Sequence, residues 1–397
     1  MSIEVVVTHA LRTPIGKFLG GLAPLTAVEL GVHAVRALLE ESAVGPGEVD
    51  EVILGHARQA GCGPNPARQV AIGAGLAETV PAWTLNQACA SGLAAVATAA
   101  EAIRSGRASI VIAGGMESMS NTPYLLPRAR AGYRLGHAEL IDGMYRDGFD
   151  CPLAGVPMGR TAETLAERYD IGRDEQDAYA AESQRRAEEA IAANRFEDEI
   201  RPVVIEGRKG SVLVATDEHP RPGTTAASLA KLPPVFKSNG TVHAGNSSGI
   251  TDGAAALLLT SRRVADERGL APLGVVGASA VAALDPRVMG LGPVPATKAL
   301  FARLGRTFDD YDLVELNEAF AAQVLACARE IPFPLDRTNV NGGAIALGHP
   351  IGATGARIVV TLLHEMKRRG ATRGLATLCV SGGMGYSLDV ARGSEMP

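Results

Sequence analysis

Residues 91–116 read SGLAAVATAAEAIRSGRASIVIAGGM, and residues 355–384 read GARIVVTLLHEMKRRGATRGLATLCVSGGM. In the first stretch Ser91–Ser105 is mostly alanine and apolar on nearly all sides, which predicts a buried helix. Ile110–Ala113 follows as a strand ending in Gly114-Gly115. The second stretch repeats that grammar. Gly355–Arg369 has helical spacing, Leu375–Val380 is a strand, and Ser381-Gly382-Gly383-Met384 stands where Ala113-Gly114-Gly115-Met116 stood. Further out, the strand Asp312–Leu316 matches Asp50–Leu54. An internal duplication is the economical reading, and short β-runs alternating with helices predict an α/β protein with buried sheets.

Residues 120–250 interrupt the duplication. They hold Pro/Gly-rich loops, a charged helical run over Thr161–Arg195, and a second irregular stretch, Asp217–Gly249. Strand chemistry returns at Ala254–Thr260. In the second half the last two strands, Leu375–Val380 and Tyr386–Val390, follow each other directly, so the segment reads as an insertion into the equivalent hairpin of the first half. The expected organisation is an N-terminal half, 1–119 plus 251–271, an inserted loop domain, 120–250, and a C-terminal half, 272–397. An inserted loop domain is a plausible home for a ligand site. Elsewhere, Val28, Val32, Val35, Leu38 and Leu39 line one face of a helix over Thr26–Ser42, Leu273–Val276 is a strand, and Pro295–Leu304 is a helix.

Composition narrows the function classes. The 397 residues are 46% hydrophobic, 20% charged and 4% aromatic, with 46 glycines, as in an ordinary globular chain whose backbones approach closely. The formal net charge is −5 with no long basic run, which argues against nucleic acid as a partner. Apolar stretches are broken by glycine or charge, so no membrane span is expected. Ile3–Val7 is strand-like from the outset, with no charged-then-apolar leader. The five scattered cysteines contain no C-x-x-C pair, so neither a disulfide framework nor a metal site is expected. A reducing, cytoplasmic setting fits.

Four residues carry chemistry. Cys89, in Asn86-Gln87-Ala88-Cys89-Ala90-Ser91-Gly92, sits between a strand and the buried helix, where a helix N-terminus favours the thiolate. By itself it reads equally as a small core cysteine. His349 lies in the glycine-rich run Asn341–Gly352, at the corner that the duplication makes equivalent to Cys89; the plain alternative is a loop histidine with a satisfied hydrogen bond. Cys379 closes a strand before Ser381-Gly382-Gly383, a turn whose N–H groups could form an oxyanion hole, or is merely a strand cysteine. Asn317, at the end of Asp312–Leu316, could orient a water or a carbonyl, or simply cap the next helix.

Together these segments become specific. NQACASGL (86–93), NEAF (317–320), NVNGGAIALGHPIGATGAR (339–357) and GLATLCVSGGMG (374–385) resemble the four signature blocks of the thiolase family, and the likeness spans essentially the whole chain. The resemblance implies a five-layered α-β-α-β-α fold with an inserted loop domain. It implies a homodimer or homotetramer acting on acyl-CoA and CoA with no cofactor, coenzyme A being a substrate. The implied activity is that of an acetyl-CoA C-acetyltransferase or acetyl-CoA C-acyltransferase, condensing acyl-CoAs or cleaving a 3-oxoacyl-CoA.

By the same resemblance Cys89 is the acyl-accepting nucleophile, His349 activates it, and Cys379 moves the α-proton of the incoming acyl-CoA. Asn317 holds a water that forms one oxyanion hole with His349; the N–H groups of Cys89 and Ser381 form the other. Arg221 and Ser228 match residues beside the adenine, Ser248 one on the pantetheine arm, and Met158, Phe236, Met289, Ala319 and Phe320 the apolar lining. Three positions depart from the family pattern. Pro157 and Pro64 replace a usual His and Gln, and Ser381 replaces a usual Gly, which requires a negative φ there. Two other readings of the same scaffold are a ketoacyl-synthase-like condensing enzyme, against which Cys379 speaks, and a catalytically silent acyl-CoA or lipid binder.

Overall fold

The computed structural model describes residues 3–208 and 210–393. In chain order the first half comprises β1 (Val5–Arg12), α1 (Ala27–Ser42), β2 (Glu51–Gly55), β3 (Ala82–Leu85), α2 (Ser91–Arg104) and β4 (Ile110–Ser118). Two helices of the interruption follow, α3 (Met158–Arg168) and α4 (Arg173–Ala192), before β5 (Thr251–Ser261) returns to the sheet. The second half comprises β6 (Gly274–Ala283), α5 (Pro293–Leu304), β7 (Leu313–Leu316), α6 (Ala321–Glu330), α7 (Ile351–Arg369), β8 (Arg373–Val380) and β9 (Met384–Ala391).

The strand order is β3-β2-β4-β5-β1-β6-β9-β8-β7, and it shows the duplication. β2 runs parallel to β4, and β4 pairs antiparallel with β5. Likewise β7 runs parallel to β8, and β8 pairs antiparallel with β9. β3 lies parallel on the outside of β2; its counterpart on β7 has shrunk to one parallel bridge, Val314 to Thr338. The strands of the two halves pair where Val6 and Val7 of β1 face Val275 and Gly274 of β6.

Side chains explain the five layers. α2 and α7 form the central layer, sharing one core with the inner faces of both halves. Their backbones touch because a Cβ on Gly92 would lie 2.6 Å from the Ala356 N, and one on Gly355 would lie 2.2 Å from the Leu93 N. A helix of larger residues would be held away at the usual 8–10 Å. α1 packs on the outer face of β2, β4 and β5, and α5 with α6 on the outer face of the second half. α1 begins at Thr26, whose hydroxyl accepts from the Glu29 N–H while the Glu29 carboxylate accepts from the Thr26 N–H.

Two sequence expectations need correction. The strand from Ile110 does not end at Gly114-Gly115 but continues to Ser118. The glycines mark close approach instead: a Cβ on Gly114 would lie 2.1 Å from the Ala255 O, and one on Gly115 2.1 Å from the Gly352 O. The charged run Thr161–Arg195 is two helices, broken where Asp170 takes φ 51° ahead of Gly172. Among the described residues no helix is long and apolar enough to cross a membrane.

Candidate active site

Cys89 lies in the single turn Ala88–Ala90 that links β3 to α2. Its neighbour Ala88 holds φ 48°, a left-handed conformation an alanine adopts only when its surroundings impose it. Ser91 ties the turn, its hydroxyl accepting from the Gln87 N–H at 2.9 Å and donating to the Ala88 carbonyl at 2.6 Å. The side chain is part-buried beside Met119, Phe149, Ile250 and Ile351. The N–H groups around the helix start do favour the thiolate, but burial outweighs them. Burial pushes the Cys89 thiol above its ordinary value, and the Ser381 N–H, the Arg58 charge and its own N–H only partly counter it. Those two N–H groups, expected as an oxyanion hole, both act to lower the Cys89 pKa.

His349 occupies the equivalent corner ahead of α7, buried, with its N–H on the Gly249 carbonyl at 3.3 Å. Nδ1 lies 2.6 Å from the Thr354 hydroxyl, which donates its only proton to the Pro350 carbonyl at 2.9 Å. The hydroxyl must therefore accept from Nδ1–H. That fixes the tautomer and leaves a lone pair on Nε2, which finds no hydrogen-bond partner among the described residues. Burial, then the charges of Arg357 and Arg58, lower the His349 pKa to about 3, with Glu117 acting in the opposite direction. The ring is a neutral base.

Cys379, near the end of β8, is buried, and burial followed by the neighbouring Cys89 and Cys327 pushes its thiol well up. It belongs to the same apolar cluster as Met158, Phe236, Met289, Ala319 and Phe320, the residues expected to line the substrate pocket. Asn317 follows β7 and is buried, yet neither its Oδ1 nor its Nδ2 finds a partner among the described residues. A buried carboxamide in that state calls for a water or a ligand. Ser381 escapes strain, because the left-handed φ values of the turn fall on Gly382 (88°) and Gly383 (85°).

A groove of about 470 Å³ runs to His349 and is lined by Arg221, Ser248, Pro157, Met158, Phe236 and Phe320 among others. The loop carrying Ser248 is tied to the Asn317 segment and to the His349 corner: the Ser248 N–H donates to the Ala319 carbonyl at 2.9 Å, and Gly249 accepts from His349. Ser228 does not line this groove. Its hydroxyl donates to the Thr225 carbonyl at 2.7 Å and accepts from the Thr225 N–H, so it serves the cap of a short exposed helix. Pro157 caps α3 with no side-chain hydrogen bond. The Pro64 carbonyl accepts from Gln69 at 3.0 Å.

Sequence reasoning missed a buried charged set beneath the two corners. Glu117, at the far end of β4, accepts from the N–H groups of Ala57 (3.2 Å), Arg58 (3.1 Å) and Gly352 (2.9 Å), and lies 3.2 Å from His56 Nε2. One carboxylate thus pins the chain after β2 to the start of α7. Burial opposes the charge on both partners. The neighbouring Cys62 and Glu117 nevertheless carry His56 up to about 9, and His56 and Arg58 hold Glu117 below its usual range. Glu318 does the same for the second half, accepting from Tyr179, Ser183, Asn339 and the Ile345 N–H. The available signal was a charged or titratable residue at or just beyond the end of an apolar strand: His56 and Arg58 after β2, and Glu117 next to last in β4.

The chain matches the thiolase N-terminal domain over residues 5–263 and the thiolase C-terminal domain over residues 270–392. It belongs to the thiolase family. This thiolase is 54% identical over 391 residues to the acetyl-CoA acetyltransferase of Chromobacterium violaceum, covering 98% of this chain and 100% of that one. Among solved structures it superposes on the Bacillus anthracis acetyl-CoA acetyltransferase with a TM-score of 0.96 at 45% identity, covering 98% of this chain and 99% of that one. Human mitochondrial 3-ketoacyl-CoA thiolase gives a TM-score of 0.95 at 40% identity, with the same coverage of 98% and 99%. This thiolase is an acyltransferase; the silent-binder and ketoacyl-synthase-like readings are not favoured.

Proposed function

We propose that this thiolase reversibly condenses acetyl-CoA with an acyl-CoA, or cleaves a 3-oxoacyl-CoA with CoA, through an acyl-Cys89 intermediate. The observation that carries this reading is the neutral His349 at the corner equivalent to Cys89, held as the Nδ1–H tautomer with Nε2 unpartnered among the described residues, in a site whose two neighbouring thiols, Cys89 and Cys379, both have raised pKa values. A thiol that is neutral at rest needs a base at the moment of attack, and Nε2 supplies one. The N–H groups of Cys89 and Ser381 then stabilise the thioester oxyanion. Asn317 holds a water that, with His349, stabilises the enolate oxygen of the second acyl-CoA, and Cys379 moves its α-proton. No metal or cofactor enters these steps, and CoA is a substrate. The enzyme acts in the cytoplasm as a homodimer or homotetramer. Thiolysis of acetoacetyl-CoA by CoA, followed by the loss of enolate absorbance, tests the reading; a folded protein that turns over neither acetoacetyl-CoA nor longer 3-oxoacyl-CoAs defeats it.

Arg221 sits on the groove near its outer end, its N–H donating to Gln184 at 2.9 Å and its side chain exposed. It belongs to the nucleotide end of the substrate. Arg221→Ala is expected to raise KM for acyl-CoA about tenfold, one exposed charge-assisted contact, with a smaller fall in kcat because remote binding energy also helps orient the reacting end. Steady-state kinetics check this, and an unchanged KM with a large kcat loss would move Arg221 away from the nucleotide.

A further inference from the structure

A second cleft, about 640 Å³, opens on the other side of Met158 from the CoA groove. It abuts the reacting end of the site, since its walls include Ser381, Gly382 and Asn86. Asn86 accepts from the Ala88 N–H at 3.0 Å, one residue before the nucleophile. An acyl group attached to Cys89 and longer than acetyl needs room, and this cleft adjoins the thioester.

The floor of the cleft is not apolar. Arg58 lines it and is 7% exposed. Its Nη1 donates to the Asp147 carbonyl at 3.1 Å, and its Nε finds no hydrogen-bond partner among the described residues. The guanidinium lies flat against the 145–149 turn, where a Cβ on Gly148 would come within 2.0 Å of Nη2. Only a glycine leaves space for it. A buried guanidinium with an idle N–H is costly unless something occupies it. Glu117 lies close enough to feel its charge, but that carboxylate is already engaged by three backbone N–H groups. The remaining charges on the cleft, Arg146, Asp147 and Asp150, are exposed at its mouth, where water screens them. Deep in the cleft, the short-range field is that of Arg58.

We propose that this cleft is the acyl-tail subsite and that Arg58 selects 3-oxoacyl-CoA substrates whose tail ends in a carboxylate. The geometry of a guanidinium fork suits that group, giving parallel charge-assisted hydrogen bonds that a methyl terminus cannot make. This inference deepens the proposed thiolase reaction and rests on it.

The test compares matched pairs of 3-oxoacyl-CoAs from six to ten carbons, one member of each pair carrying a terminal carboxylate and the other a methyl, in wild type and Arg58→Leu. Acetoacetyl-CoA serves as the reference. In wild type, the carboxylated member of at least one pair is expected to have a kcat/KM about tenfold or more above its methyl partner, and Arg58→Leu is expected to erase or reverse that ratio. Arg58→Lys should keep only part of it, since an ammonium restores the charge but not the fork. A wild-type preference for the methyl member at every length overturns the proposal, as does an Arg58→Leu loss that is equal for both members. The ratio is the readout, so any general effect of Arg58 on Cys89 cancels. Equilibrium binding of the saturated acyl-CoA pairs to Cys89→Ala protein reads the same preference without turnover. Activity on acetoacetyl-CoA with no preference in either assay removes this inference alone, whereas inactivity on every substrate removes the proposed reaction.

Discussion

Incubated with radiolabelled acetyl-CoA, Cys379→Ala protein is expected to become labelled and Cys89→Ala protein to stay unlabelled. In the proposed reaction acylation of Cys89 draws on His349 and the N–H groups of Cys89 and Ser381, all of which lie outside the β8 side chain being removed. Condensation needs a further group to take the α-proton, and Cys379 is the buried thiol that neighbours Cys89, in one apolar cluster with Met289, Ala319 and Phe320. Cys379→Ala should therefore lose condensation and exchange of acetyl α-protons with solvent by about 10²–10⁴-fold, the usual contribution of a positioned acid–base group. Cys89→Ala should lose turnover by on the order of 10⁴–10⁶-fold, as removal of a nucleophile typically does, while still binding CoA. Counting protein-bound label on both folded variants checks the assignment; label on Cys89→Ala, or none on Cys379→Ala, reverses the roles.

His349→Ala is expected to slow acylation by about 10²–10⁴-fold, and the pH dependence of the wild type should show why. With its pKa near 3 the imidazole stays neutral down to acid pH. The rate should therefore show no acid limb near the ordinary histidine value of about 6.5. An acid limb there, absent from a variant retaining activity without His349, would contradict the buried neutral ring. Stability carries the same signature. The folded pKa lies below the unfolded one, so the unfolded chain binds a proton that the folded chain refuses. Stability is therefore intact above about pH 6.5 and falls as pH drops toward 3. At pH 4.5 the loss from this one group should be about 2–3 kcal/mol. Urea midpoints at pH 7 and pH 4.5 should differ less in His349→Asn than in wild type. Thr354→Val removes the partner that fixes the tautomer, and should lower the acylation rate while leaving the acid sensitivity in place.

The corners that hold these residues were readable in the chain because they recur. A helix of small residues followed by a β-run and a Gly-Gly turn, written twice, can bury both helices only against each other. Gly92 on Ala356 and Gly355 on Leu93 are the contacts that result. Once the duplication was recognised, Cys89 and His349 had to occupy equivalent corners, and the pairing of β4 with β5 across the interruption followed from the direct β8–β9 hairpin. Met158, Phe236, Met289, Ala319 and Phe320, singled out together from the sequence, fall in one apolar cluster with Cys379, and three of them, Met158, Phe236 and Phe320, line the groove.

Other features depend on distances that no local pattern encodes. The sequence alone determined the duplicated α/β architecture and placed Cys89 and His349 at equivalent strand-to-helix corners, because periodicity and repeat are local properties of the chain. Tertiary structure decided the protonation states. A helix start next to Cys89 argued for a thiolate, but burial by segments from both halves costs the charged form more than two N–H groups return. The Thr354 hydroxyl chose the His349 tautomer. The Ser228 hydroxyl was drawn into the cap of a short helix by Thr225. The buried set of His56, Arg58 and Glu117 came from two strand ends that the fold alone brings together, and desolvation, which depends on every neighbour at once, gave those charges their strength.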